Sequence, residues 1–385
     1  MNQKNISKLI NIKMMKQGIL DDAKKLISSK NYFESIVLLT SHINKNNECY
    51  EAYNLRGIAK NKLGFYFYAI EDFKKCLDLN SSFYLALENK AYSEYKVWSY
   101  FSAIRNCKLS IKLGNDSFFA YYIIGCSYWR ISNYEKALSN FDKSLLINPN
   151  FAKSLYRKGL VYKEIKKFKK SKNYFYQSLK IDPLSPKPYI ELANIEHLSS
   201  KNEKALEIYN KYLSLNKHPK YNLPILKSRI NLYLKLHKYK KSLLDLLEIS
   251  NYQKNDPEIY YQLGISRHNL GDPKNAIEDF SKAIFLVPKN SYYHLSRALS
   301  YLAINDKFSA FKDLRKSINL DWRNIDAYYY LAEVYEKFED KLYFSQEGIR
   351  IFKLLINNPA WKSTKFENLI KLSDFELQRK IFMDN

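Results

Sequence analysis

The stretch Ala69-Ile70-Glu71-Asp72-Phe73-Lys74-Lys75-Cys76-Leu77 returns, nearly letter for letter, as Ala276-Ile277-Glu278-Asp279-Phe280-Ser281-Lys282-Ala283-Ile284. Between the copies the pattern recurs more faintly, and blocks of 34 residues bring it into one column. The blocks run 16–49, 50–83, 84–117, 118–151, 152–185 and 186–219, then, after three extra residues at 220–222, 223–256, 257–290, 291–324 and 325–358. The 385 residues are thus read as ten repeats of one supersecondary unit, not as two or three globular domains.

The eighth and twentieth positions of a block are nearly always small: Ala23 with Ser35, Gly57 with Ala69, Ala91 with Ala103, Gly125 with Ala137, Gly159 with Ser171, Ala193 with Ala205, Gly264 with Ala276, Ala298 with Ala310. If positions 1–14 and 16–28 are two antiparallel helices, these residues face each other, and small side chains let the backbones approach. Large residues flank them. The fourth position holds Tyr53, Leu87, Tyr121, Leu155, Tyr189 and Tyr260, and the twenty-fourth holds Phe73, Phe141, Phe175, Tyr209 and Phe280, as knobs for neighbouring helices.

Glycine and proline test this register independently. Gly64 and Gly271 fall in the turn between the helices, and Pro149, Pro183 and Pro288 follow the second helix, where a residue that cannot continue a helix is useful. Asp272-Pro273 reads as an N-cap followed by proline at the first helical position. In this register no proline falls inside a helix. The paired acids Glu71-Asp72 and Glu278-Asp279 share one repeat position and read as a solvated helix face.

These residues resemble the tetratricopeptide repeat (TPR) family over roughly 16–358, with 50–83, 118–151, 152–185 and 257–290 the best repeats. The resemblance implies an all-α, right-handed α-solenoid of helix-turn-helix TPR units. Two repeats depart from the pattern. Block 223–256 has Ile230 at the close-contact position and follows the insertion His218-Pro219-Lys220-Tyr221-Asn222, so a kink or division is expected there; block 325–358 has Phe344 and Gly348 where Ala and an aromatic belong. Each repeat buries its face only against its neighbours, so the ends need caps. Residues 359–385 are expected to form a C-terminal capping helix and 1–15 an N-terminal extension.

The formal charge is +24, from 63 Lys+Arg against 39 Asp+Glu. Two readings stay open: an anionic partner, or drift toward AT-rich codons in a chain crowded with Lys, Asn, Ile, Tyr and Phe. Cys49, Cys76, Cys107 and Cys126 show no close ligand spacing and are expected to be reduced thiols. The longest apolar stretch, Phe118 to Trp129, is too short to span a bilayer, and the start of the chain lacks a signal-peptide apolar run. A soluble cytoplasmic protein is expected.

No signature of catalysis is legible. His42, His197, His218, His237, His268 and His294 occupy different repeat positions without a metal-ligand spacing, and the glycines are assigned to packing and turns, with no phosphate-binding loop. Neither an enzyme nor a bound metal or cofactor is expected.

The TPR resemblance implies a concave groove lined by the first helix of each repeat, through positions 2, 5, 6, 9, 12 and 13. In repeats three to five these supply Tyr92, Tyr95, Phe119, Tyr122, Trp129, Arg130, Lys153, Tyr156, Arg157 and Lys163, an aromatic and basic stretch suited to an extended, acidic peptide. Some TPR domains clamp a chaperone's C-terminal carboxylate with Lys and Asn, then Asn, then Lys and Arg. Lys153 and Arg157 match the last pair, but Glu88, Tyr92 and Ile123 replace the others, so no binding of that kind is expected. An asparagine ladder is also missing at position 6. The leading expectation is a non-catalytic protein-interaction scaffold or adaptor. A basic helical-repeat RNA binder is the alternative, and contact between Lys-rich faces and anionic lipid a third reading.

Overall fold

A computed structural model describes residues 17–216 and 218–334, together with Gln346. Nineteen helices and no strand occur among them. Helix α1 (17–28) pairs with α2 (Tyr32–Lys45), α3 (Tyr50–Lys62) with α4 (Tyr66–Leu79), α5 (Tyr84–Lys96) with α6 (Tyr100–Lys112), α7 (Phe118–Arg130) with α8 (Tyr134–Ile147), and α9 (Ala152–Glu164) with α10 (Phe168–Ile181). The alternation continues through α11 (Pro186–Leu198), α12 (Asn202–Leu215), α13 (Pro219–Lys235), α14 (Tyr239–Ser250), α15 (Pro257–Asn269), α16 (Pro273–Leu286), α17 (Ser291–Ala303), α18 (Lys307–Leu320) and α19 (Ile325–Val334). The chain divides into two compact units, Met1–Ala205 and Leu206–Asn385. The expected 1–15 extension, the 359–385 cap and the second helix of the last repeat lie outside the described residues, Gln346 excepted.

Each intra-repeat turn is built the same way. The residue at position 15 has positive φ in all nine described turns: Lys30, Gly64, Trp98, Ser132, Lys166, Ser200, His237, Gly271 and Asn305. The next N–H donates to the carbonyl at position 11, as in Phe65 to Lys60 at 2.9 Å and Lys167 to Tyr162 at 2.8 Å. This bond satisfies a carbonyl that the helix end would leave orphaned. Glycine suits the left-handed residue but only two turns use it.

The close-contact position is also explained. Ser171 Oγ donates to the carbonyl of Gly159 at 2.8 Å, so position 20 does face position 8. What demands glycine is position 24. A Cβ on Gly57, Gly125, Gly159 or Gly264 would lie 2.5–2.7 Å from the ring of Phe73, Phe141, Phe175 or Phe280. Those four rings are buried. Where position 24 holds Leu39, Cys107, Tyr209 or Leu314, position 8 is alanine.

Two expectations are corrected. Asp72 and Asp279 are not part of a solvated face: both are buried, while their neighbours Glu71 and Glu278 are exposed. Position 23 points between the two helices of its repeat and meets an arginine from the first helix. Arg56 grips Asp72 through Nε at 3.0 Å and Nη2 at 2.7 Å, Arg229 grips Asp245 at 2.8 and 2.7 Å, and Arg297 grips Asp313 at 2.7 and 2.8 Å. Such bidentate geometry is what makes a buried carboxylate tolerable.

Residues 219–222 lie within α13. Pro219 opens α13, where its missing N–H costs nothing, and the extra residues form an added first turn. Second, Pro224 therefore lies inside α13, against the expectation that no proline would. Cys49, Cys76, Cys107 and Cys126 are free and buried.

Candidate functional site

Within the unit Met1–Ala205 the first helices of successive repeats line a cleft of about 610 Å³. Ile58, Asn61 and Lys62 come from α3; Asn89, Tyr92, Tyr95 and Lys96 from α5; Phe119, Tyr122, Ile123 and Cys126 from α7; Ala152, Lys153, Tyr156 and Arg157 from α9. Ser178, Asp182, Ser185, Pro186 and Lys187 close one end. Side chains three and four residues apart share a helix face, which is why these spacings converge.

Seven of the ten residues expected in the groove line this cleft: Tyr92, Tyr95, Phe119, Tyr122, Lys153, Tyr156 and Arg157. Three do not. Trp129 lies under two guanidinium groups, with Arg157 5.0 Å and Arg130 5.7 Å from its ring. Arg130 Nε donates to the Tyr100 hydroxyl at 3.2 Å. Lys163 is paired with Glu191 of the next repeat at 2.6 Å, a partner too distant in sequence to be read from a column of repeats. Asn61, Lys62, Asn89, Lys96 and Lys187 also reach the cleft, and all but Lys187 belong to repeats two and three. The rule of positions 2, 5, 6, 9, 12 and 13 names all five.

The rings are shared between the cleft and the packing of repeats. Tyr66 contacts Tyr92 at 6.5 Å, Tyr92 contacts Phe119 at 5.8 Å, Phe119 stacks on Tyr122 at 5.8 Å, and Tyr122 meets Phe151 edge-on at 5.2 Å. The first two of these contacts cross from one repeat to the next, the other two lie within repeat four, and together they fix the side chains before any ligand arrives. Burial pushes the hydroxyls of Tyr95 and Tyr156 up to about 12, so both remain protonated donors at neutral pH.

The charges are one-sided. Lys62, Lys96, Lys153, Arg157 and Lys187 face Asp182 alone, and none of the five forms an ion pair among the described residues. Lys96 rests over the rings of Tyr66 and Tyr92 at 5.9 and 5.4 Å. Arg157 is half-buried beside the Tyr122 hydroxyl. Cations held on aromatic faces and lacking carboxylates favour an anionic ligand. Glu88 does not line the cleft and accepts from Asn115 at 2.9 Å, so it presents no carboxylate there. The departure from the carboxylate clamp therefore rests on Tyr92 and Ile123.

The tetratricopeptide repeat model matches residues 120–151, 152–183 and 257–290. The chain is a tetratricopeptide-repeat protein. Among solved structures, MamA from Desulfovibrio magneticus RS-1 is 19% identical over 43% of this chain and 94% of its own, with a TM-score of 0.40. YrrB, described as a TPR protein with an unusual peptide-binding site, is 17% identical over 49% and 97%, at 0.37. Yeast Tom70 is 13% identical over 96% of each chain, at 0.41. None of the curated proteins matches. No helix among the described residues of this TPR protein is long and apolar enough to cross a membrane.

Proposed function

We propose that this protein is a non-catalytic scaffold of the cytoplasm whose cleft holds an extended, acidic segment of a partner protein. The observation that carries the reading is the set of five unpaired cations against one carboxylate on a frame of aromatic rings. An extended chain offers alternating side chains, so acidic groups can meet Lys62, Lys96, Lys153, Arg157 and Lys187 while apolar ones rest on Tyr92, Phe119 and Tyr156. Asn61 and Asn89 line the same wall, their amides held by Ser93, which donates to Asn61 Oδ1 at 2.7 Å, and by Asn54, whose Oδ1 accepts from Asn89 at 3.2 Å.

The test is selection of a random peptide library on the full chain, followed by titration of the enriched peptides. Acidic sequences are expected, with affinity falling about tenfold or more in Arg157→Ala, as for a central interface arginine. Enrichment without acidic bias, or binding unchanged by Arg157→Ala, would refute the proposal. Nucleic acid is the competing ligand. Tighter binding of single-stranded RNA than of any selected peptide, falling steeply with salt and in Tyr92→Ala, would favour it instead.

A further inference from the structure

Within the cleft, α5, α7 and α9 bring their polar groups to one place. Arg157, half-buried on α9, rests 5.0 Å from the Trp129 ring, which fixes its guanidinium from behind. The groups that act on it are the hydroxyls of Tyr95 and Tyr122 and the thiol of Cys126. Both hydroxyls are within hydrogen-bonding reach of that thiol. Lys96, exposed at the end of α5, acts on the same thiol and is steadied 5.4 Å above the Tyr92 ring. Two cations and two phenols thus surround one spot in the wall.

The spot holds no negative charge. Burial pushes the Cys126 thiol up, does the same to the Tyr122 hydroxyl, and takes Tyr95 to about 12, so all three stay neutral. No carboxylate is among the groups acting on Arg157. The acids of the surrounding helices are engaged elsewhere. Glu191, which acts on Tyr156, is held by Lys163 at 2.6 Å, and Glu94 is buried and accepts from Asn106 at 2.7 Å. Asp182 belongs to the end closed by Ser178 and Lys187.

We infer that Arg157 and Lys96, with the Tyr95 and Tyr122 hydroxyls, form a subsite for a phosphorylated side chain of the partner segment, an inference that rests on the acidic-segment reading above. A carboxylate brings a single charge and a pair of oxygens. A phosphate monoester brings a charge of about −1.5 to −2 and three acceptor oxygens, which match a forked guanidinium, an ammonium and phenol donors together. Size points the same way. A cleft of about 610 Å³ holds a ligand of drug size, hence a short segment. A run of carboxylates long enough to balance the cations would leave nothing apolar for Tyr92 and Phe119, whereas one doubly charged side chain leaves its neighbours free to rest on those rings.

The experiment presents the full chain with peptide libraries that share random flanks and differ only at a fixed central residue: phosphoserine, phosphotyrosine, glutamate or serine. Enriched peptides are then titrated. At least one phosphorylated form is expected to bind about tenfold or more tighter than its glutamate counterpart. Arg157→Lys keeps the charge but loses the fork, and Lys96→Gln removes an exposed cation. Each should abolish most of that preference, while Lys240→Gln, outside the cleft, should leave it unchanged. The ratio between paired peptides separates recognition from a general loss of structure, and thermal melts of the variants check the fold directly. The inference is overturned if glutamate peptides bind as tightly as phosphorylated ones, or if the preference survives Lys96→Gln and Arg157→Lys. It is also overturned if 5′-phosphorylated single-stranded RNA binds more tightly than any phosphopeptide. Glutamate binding alone leaves the acidic-segment reading standing, whereas failure of all the charged libraries refutes both.

Discussion

At the residue scale, the pairing of glycine with phenylalanine in four repeats is a packing rule the chain states repeatedly. Replacing Gly159 by alanine gains about 1 kcal/mol of helix propensity but drives a methyl to 2.5 Å from the Phe175 ring, which is fully buried. Overpacking of this kind costs about 1–3 kcal/mol, so Gly159→Ala should lower the urea midpoint. Adding Phe175→Leu should recover part of that loss, since Ala298 with Leu314 is the same pair elsewhere. Both columns were legible in the sequence, yet their partnership was not, because a column of repeats records what recurs and not what touches. A second residue-scale prediction concerns Asp279, which burial raises to about 6 against the pull of Arg267 and Lys282. Its folded value lies above its unfolded value of 3.8, so the folded state binds the extra proton and this group's stabilisation is lost as pH rises from about 4 through 6. Melts of Asp279→Asn at pH 4 and pH 7 should differ less than those of the wild type by that contribution. Asp313 behaves oppositely. Burial would raise it too, but hydrogen bonds from Arg297 and His294 outweigh burial and hold it below the usual carboxylate value.

At the scale of elements, the arginine–aspartate grip across the helix pairs of repeats two, seven, eight and nine was hidden by a pattern that looks like its opposite. Glu71-Asp72 reads as two solvated acids, but adjacent helical residues point about 100° apart, and only the first reaches water. The same limit explains α13. Three extra residues look like an interruption in a fixed register, whereas a helix absorbs them by starting one turn earlier at Pro219. Repeat seven allows a direct test of the grip. Arg229→Met leaves Asp245 buried without its bidentate partner and should cost about 3–5 kcal/mol. Arg229→Leu with Asp245→Ile reproduces the Leu192 and Ile208 pair of repeat six and should return most of that loss. Urea unfolding of both variants measures it, and equal destabilisation would show that the grip is not the source.

At the scale of the whole molecule, the period of 34 residues was enough to reach the fold, the register of the nine described turns and the helix faces that build the cleft. It could not show which cations are free. Lys163 and Arg157 look alike in a column of groove residues, and only the packed chain reveals that Glu191 neutralises one while the other stays unpaired. This distinction separates a functional charge from a compositional one. A formal charge of +24 attracts any polyanion at long range, but that attraction is screened beyond about 8–10 Å at physiological salt. Cations inside a cleft act at contact distance and escape most of that screening. Arg157→Glu and Lys240→Glu change the net charge by the same amount, one within the cleft and one on an exposed helix start. If composition alone drives binding, both should weaken an acidic peptide equally, and salt should erase the difference from wild type in both. If the cleft is the site, Arg157→Glu should cost about 100-fold or more, since it opposes the ligand's charge where water is scarce, while Lys240→Glu changes affinity less than about twofold. Titration of one selected peptide against both variants, at low and at physiological salt, distinguishes the two cases.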